Sequence, residues 1–209
     1  MSAARRPFAP PEGFRLLPGR LAREEQDALL AEILDAARAA PFYRARMPRT
    51  GAQLSVAMTN CGALGWFCDV TGYRYEPRHP ETGAPWPPIP ARLLALWDEV
   101  TGHPAPPECC LVNLYRGAAR MGLHRDGDEE AREAPVLSVS LGDTALFRIG
   151  GPTRGSPSGQ VRLASGDVVV LAGAARHAFH GVDRVLEGTS RLVPGGGRIN
   201  LTLRRVRAP

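Results

Sequence analysis

The chain has 209 residues, of which 44% are hydrophobic and 22% charged, and it carries a net charge of +5. That is enough for one well-buried core with a smaller accessory element, and too little for two large domains; no apolar run reaches the roughly 18 residues of a membrane helix. All 26 basic residues are arginine; the excess cation favours a polyanionic partner, but arginine without lysine, in a chain rich in Ala, Pro and Gly, equally reflects compositional bias.

Residues 1–20, MSAARRPFAPPEGFRLLPGR, hold no continuous apolar segment ending at a small-residue cleavage site. They are not read as a secretory signal and are expected to form a flexible, proline-rich arm. Residues 21–40 place Leu29, Leu30, Ile33, Leu34 and Ala37 on one stripe at helical spacing, with Glu24, Glu25 and Asp27 near the positive end of the dipole and Pro41 closing the segment. From 42 to 88 the character changes to short strand-like runs such as QLSVAMTN (53–60), with Trp66, Phe67, Tyr73, Tyr75 and Trp86 spaced between Gly and Pro turns, which predicts a small turn-rich β element.

A second helix is predicted over 90–101, with Pro90 in the first turn, Leu93, Leu94, Trp97 and Val100 as its buried stripe, and Gly102 as its C-terminal cap. Beyond it the pattern is all strand: 108–115, 134–142, 145–149, 160–164, 167–172, 178–182 and 199–206, with 152–160 and 191–197 as flexible connections. Many short strands joined by Gly-rich turns predict a mainly β fold with flanking helices (α+β), built on a double-sheet jelly roll. The expected division is an arm and helix (1–41), the turn-rich element (42–88) and the core (89–209). Cys61, Cys68, Cys109 and Cys110 form no CxxC pair, so free thiols and a reducing cytoplasm are expected.

The chemistry is carried by LHRDGDEE, in which His124 and Asp126 stand two residues apart. In an extended backbone both side chains point to one face and can share an ion. Alone, such a pair is more often a solvated turn. His180, in AFHG, supplies a third ligand, and two histidines with one carboxylate make the open facial triad of non-haem iron(II) oxygenases. His177 competes for that position but would need a different backbone path, while His79 and His103, beside prolines, read as solvated or structural.

The C-terminal GRINLTLRR alternates Arg198, Asn200, Thr202 and Arg204 with Ile199, Leu201 and Leu203. Four polar groups on one strand face, two of them arginines, suit the carboxylates of 2-oxoglutarate; the plainer alternative is an edge strand with a solvated face. Asn113 and Tyr115 repeat the spacing on another strand and can donate hydrogen bonds to a carboxylate.

SVAMTNCGALGW (55–66), LHRDGDE (123–129), SVSLG (138–142) and RINLTLR (198–204) together resemble the AlkB family of nucleic-acid dealkylases, over about residues 42–206. The resemblance implies that His124, Asp126 and His180 hold iron(II), and that Asn113, Tyr115, Arg198, Asn200 and Arg204 hold 2-oxoglutarate as co-substrate. It makes 42–88 a nucleotide-recognition lid, in which Trp66 stacks on the damaged base beside Tyr73, with the His124 imidazole as the opposite wall. Asp128 would attract a cationic 1-methyladenine or 3-methylcytosine. Met58 and Arg120 would be further substrate contacts, and Arg154 a contact to the strand. The stretch MPRTGAQ (47–53) departs from the family pattern, lacking a tyrosine and the threonine register found near this position.

The implied activity is oxidative dealkylation that releases succinate, carbon dioxide and formaldehyde. Its partner would be alkylated DNA, with RNA as an alternative, single-stranded or with the base flipped out, handled by a monomer without a membrane. The rival readings are an oxygenase acting on a protein side chain or small metabolite, and a jelly-roll binding protein without catalysis.

Overall fold

The computed structural model describes residues 8–208. In chain order the elements are β1 (Phe14–Leu17), α1 (Arg23–Ala39), β2 (Ala57–Gly62), β3 (Gly65–Asp69), β4 (Gly72–Glu76), α2 (Ala91–Thr101), β5 (Cys109–Tyr115), β6 (Met121–His124), β7 (Val136–Gly142), β8 (Thr144–Ile149), β9 (Gly159–Leu163), β10 (Val168–Leu171), the helical turn α3 (Gly173–Arg176), β11 (His180–Leu186) and β12 (Arg198–Arg204). Six strands form one sheet in the order β1-β10-β7-β12-β5-β2, four form a second in the order β6-β11-β8-β9, and β3 with β4 makes a separate hairpin. Every pairing is antiparallel. This is the expected jelly roll.

The helices cover the outer face of the six-stranded sheet. α1 buries Leu29, Leu30 and Ile33, and its first turn is held by the Glu25 carboxylate, which accepts the Ala22 N–H at 2.7 Å. α2 buries Leu93, Leu96 and Trp97 and ends at Gly102, whose φ of 62° is the left-handed cap that glycine adopts without strain. These side chains share one core with Val112, Val139, Leu201 and Leu203. The apolar half of β12 is thereby used on the helix side, and period-two alternation turns Arg198, Asn200, Thr202 and Arg204 to the opposite face. β12 lies between β7 and β5, so it is not the edge strand of the alternative reading.

Two expectations are corrected. The arm is not wholly a flexible tail: Phe14–Leu17 pairs in register with Val168–Leu171 and closes one edge of the large sheet, while residues 1–7 lie outside the described part. A boundary near 88 is likewise not a boundary between sheets, because β2 pairs with β5 from Ala57↔Leu114 to Gly62↔Cys109 and extends the same sheet at its other edge. Only the β3–β4 hairpin stands apart, and it is seated on a core of Tyr43, Met58, Cys68, Trp86, Cys109 and Leu111.

A candidate metal centre and its surrounding pocket

His124 ends β6 and His180 begins β11; the two strands pair with these residues directly opposite. The close approach needs Gly181, since a Cβ there would lie 2.6 Å from the Met121 carbonyl oxygen and 2.9 Å from that of Gly122. Asp126 follows two residues after His124, and one ligand atom from each of His124, Asp126 and His180 lies within 4.8 Å of the others. The His124 Nδ1 is 2.9 Å from the Gly122 carbonyl and the His180 Nδ1 is 3.0 Å from that of Ala178. A carbonyl only accepts, so both rings donate through Nδ1 and keep the Nε2 lone pair for a metal.

The electrostatics favour the same state. Burial and the neighbouring His124 draw the His180 pKa down to about 4, so its ring is neutral. Burial would raise the Asp126 carboxyl, but Arg204, His180, His124 and Arg176 outweigh it and hold the group below the usual carboxylate range. Arg204 donates to Asp126 Oδ1 at 2.9 Å, whereas Oδ2 is buried with no partner.

The unsatisfied buried side-chain atoms among the described residues are Asn113 Oδ1, Asp126 Oδ2, Arg198 Nε, and Arg204 Nε and Nη1. Buried polar atoms are ordinarily paired, and all of these belong to residues expected to hold iron or 2-oxoglutarate. A divalent cation would satisfy Asp126 Oδ2 and a dicarboxylate the arginine N–H groups, with the Asn113 carboxamide turned to present its amide end, so the donor set fits both groups. Burial would lower the Arg204 guanidinium, yet Asp126, Tyr75 and Glu129 keep its pKa well above the ordinary value; burial brings Arg198 down to about 10, still cationic at neutral pH.

The other expected residues are distributed unevenly. Tyr115 is buried opposite Arg198 in the β5–β12 register, its hydroxyl pushed up to about 12 by burial. Asn200 reaches the right face, but its amide is engaged with Ser138 Oγ at 2.7 Å, the Val139 carbonyl at 3.2 Å and the Thr202 hydroxyl at 3.0 Å. Arg198 is anchored by Ser140 Oγ at 2.7 Å, so SVSLG supplies two hydroxyls that orient the polar face of β12.

Trp66, Tyr73 and Asp128 do come together. Asn60 clamps the Trp66 backbone from both sides, at 3.0 and 3.1 Å. The indole stacks on Tyr73, with centroids 5.7 Å apart, and donates to Asp128 Oδ2 at 3.1 Å. Arg154 donates to the Leu123 carbonyl at 2.7 Å and lies over Phe179; Arg120 is exposed, its backbone bonded to Ser55. Met58 departs from expectation: it is fully buried in the core beneath the hairpin and offers no exposed surface to a substrate, because β2 is covered on both faces from Met58 to Cys61. His79 is buried and structural, bonded to Pro41, Glu81 and Thr82, and His177 is half-exposed near Glu133.

Sequence reasoning missed Glu129, Arg176 and Tyr75. Glu129 is buried, 2.9 Å from Arg176 Nη2 and 3.3 Å from Arg204 Nε, and it accepts the Tyr75 hydroxyl. Arg176 also donates to the backbone carbonyl of Asp126 at 3.0 Å. An arginine following the apolar run AGAA (172–175) was the available signal for this network.

Comparison with known proteins agrees with this geometry. The family model of the 2OG-Fe(II) oxygenase superfamily matches residues 13–204. The alpha-ketoglutarate-dependent dioxygenase AlkB homolog of Caulobacter vibrioides is 57% identical over 202 residues, covering 97% of this chain and 91% of that one. The alpha-ketoglutarate-dependent dioxygenase AlkB of Escherichia coli is 40% identical over 190 residues, covering 89% and 87%. The solved structure of OsALKBH1 superposes with a TM-score of 0.81 at 28% identity, over 96% of this chain and 99% of that chain. A matched superfamily model and high identity over nearly the whole length establish that the chain belongs to the 2OG-Fe(II) oxygenase superfamily, and within it to the AlkB dioxygenases dependent on iron(II) and 2-oxoglutarate.

Proposed function

We propose that this chain repairs alkylated nucleic-acid bases such as 1-methyladenine and 3-methylcytosine, taking the base from a single strand or flipped out of a duplex, as a cytoplasmic monomer. The observation that carries the substrate assignment is the contact between Trp66 and Asp128, 62 residues apart in sequence, which sets an aromatic face and a carboxylate together beside the metal loop. A base removed from its stack loses stacking that an indole recovers, and adenine methylated at N1 or cytosine methylated at N3 is cationic, which a carboxylate attracts. Four free, buried cysteines suit a reducing compartment.

Iron(II) at His124, Asp126 and His180, with 2-oxoglutarate and dioxygen, supplies the oxidation of the alkyl carbon, and a methyl group leaves as formaldehyde alongside succinate and carbon dioxide. The protein's part is placement and exclusion of water. Arg198 and Arg204 offer permanent charge and unpartnered N–H groups to the two carboxylates of the co-substrate. The two ends of the Asn113 carboxamide are nearly isosteric, so its unpartnered end can present N–H groups to the same ligand. His124 is the most exposed of the three metal ligands, which suits it to meet an entering substrate.

The test is mass spectrometry of a short oligonucleotide carrying 1-methyladenine or 3-methylcytosine, incubated with protein, iron(II), 2-oxoglutarate and ascorbate in air. The expected result is a loss of one methylene mass that requires 2-oxoglutarate, is absent in His124→Ala, and is faster on single strands than on duplex. Consumption of 2-oxoglutarate with the oligonucleotide unchanged would refute the substrate assignment.

A further inference from the structure

We propose that Tyr75 and Glu129 are positioning residues that couple the base-reading hairpin to the metal's carboxylate ligand, so that an occupied base pocket tightens the metal centre. The inference rests on the dealkylase reading. Trp66 and Tyr75 are cross-strand partners on the hairpin, so their side chains share one face. Each bonds to one of two consecutive acids of the metal loop: the Trp66 Nε1–H donates to Asp128, and the Tyr75 hydroxyl donates to Glu129. The hairpin is thereby tied to the loop at two adjacent points, one at the surface and one buried.

The buried tie continues to the metal ligand by two routes. Glu129 faces Arg204 Nε at 3.3 Å, and Arg204 Nη2 donates to Asp126 Oδ1 at 2.9 Å. Glu129 also accepts from Arg176 at 2.9 Å, and Arg176 Nη1 donates to the Asp126 backbone carbonyl at 3.0 Å. Both the carboxylate and the main chain of Asp126 are therefore held by arginines whose common counter-charge is Glu129. All four charged groups are at least nine-tenths buried, where a displaced charge is not compensated by water. A shift of Glu129 must move the arginines with it, and with them the aim of Asp126 Oδ2.

The Tyr75 hydroxyl is the one atom of that ring with a task beyond packing, since phenylalanine fills nearly the same space against the same core. Coupling between two sites is reciprocal and measurable as the factor by which one ligand changes the affinity of the other. Loss of a brace that merely stabilises the fold would lower the unfolding midpoint without changing that factor.

The experiment titrates the full chain with Co(II) alone, with and without a saturating trinucleotide carrying 1-methyladenine, in the wild type, Tyr75→Phe and Glu129→Gln. In the wild type the trinucleotide is expected to tighten Co(II) binding about fivefold or more, and in both variants this factor is expected to fall close to one. With iron(II), 2-oxoglutarate and air, Tyr75→Phe is further expected to release succinate in excess of the bases repaired, where the wild type releases one per base. A Tyr75→Phe protein with the wild-type coupling factor and the wild-type succinate ratio overturns the proposal alone. A wild type that does not bind the methylated trinucleotide overturns the dealkylase reading, and the proposal with it.

Discussion

Arg204 holds one carboxylate oxygen of Asp126 at 2.9 Å and leaves the other, Oδ2, buried without a partner. The arginine thus sets the rotamer of a metal ligand, while its Nε faces Glu129 at 3.3 Å and its Nη1 is left without a hydrogen-bond partner for the co-substrate. Arg204→Gln should consequently weaken both. Loss of an outer partner of a metal ligand typically costs 10- to 100-fold in metal affinity, so a Co(II) titration should show a loss of about that size, with weaker 2-oxoglutarate binding in the same variant. Binding of a methylated oligonucleotide to the metal-free protein should change much less. Equal losses in all three titrations would mean that Arg204 serves the fold as a whole.

The pairing of His124 with His180 depends on the absence of a side chain at Gly181, whose Cβ would press into the carbonyls of Met121 and Gly122 on β6. Those atoms are backbone and cannot swing aside, so Gly181→Ala should push β6 away from β11 and separate the two imidazoles. The expected outcome is a loss of Co(II) affinity of roughly tenfold or more with little change in far-ultraviolet circular dichroism. Wild-type metal affinity in this variant would show that β6 shifts as a unit without disturbing the site.

The legible part of this site is the part set by local periodicity. His124 and Asp126 at a spacing of two, and Arg198 to Arg204 on alternate positions, declare a shared face whatever the strand is paired with. What was hidden depends on distant partners. Glu129 stands in the acidic turn DGDEE and looks solvated, yet it is buried because Arg176, 47 residues later, and Tyr75, 54 residues earlier, close over it. Phe14–Leu17 looks like part of an arm because a four-residue strand carries little pattern; its register is imposed by β10. Met58 matches the family motif but sits in the core, because the strand that carries it is covered on both faces.

The cysteines make a prediction about pH. Burial pushes the Cys61 and Cys109 thiols up to about 12 and Cys68 up to about 11, and raises Cys110 well above its ordinary value. A thiol whose pKa is higher in the folded than in the unfolded chain holds its proton more tightly when folded. Its contribution to stability is therefore complete below the unfolded value of about 8.5 and is lost as pH rises through the folded one. The urea midpoint should be flat from neutrality to about pH 8 and decline steadily above about pH 9. Iodoacetamide near pH 8 should label no cysteine in the native protein and all four in urea. Rapid labelling of the native protein would show that the hairpin opens far enough to expose Cys68.

Trp66 and Asp128 divide the recognition of the base between stacking and charge, and separate substitutions can tell them apart. Base–aromatic stacking contributes about 1–3 kcal/mol, so Trp66→Ala should weaken oligonucleotide binding roughly 5- to 150-fold. Decarboxylation of 2-oxoglutarate without substrate, which needs no stacking, should be spared. In the free protein the Trp66 indole donates to Asp128 Oδ2, which leaves the other carboxylate oxygen to accept from a cationic base. Trp66→Phe keeps an aromatic face and frees Asp128, and it should lose less affinity than Trp66→Ala. Asp128→Asn leaves the stack intact but removes the charge, so its penalty should fall on 1-methyladenine and 3-methylcytosine and spare a neutral adduct such as 1-methylguanine. Equal losses for cationic and neutral bases in Asp128→Asn would reduce Asp128 to a support for the indole and leave the charge of the base unread.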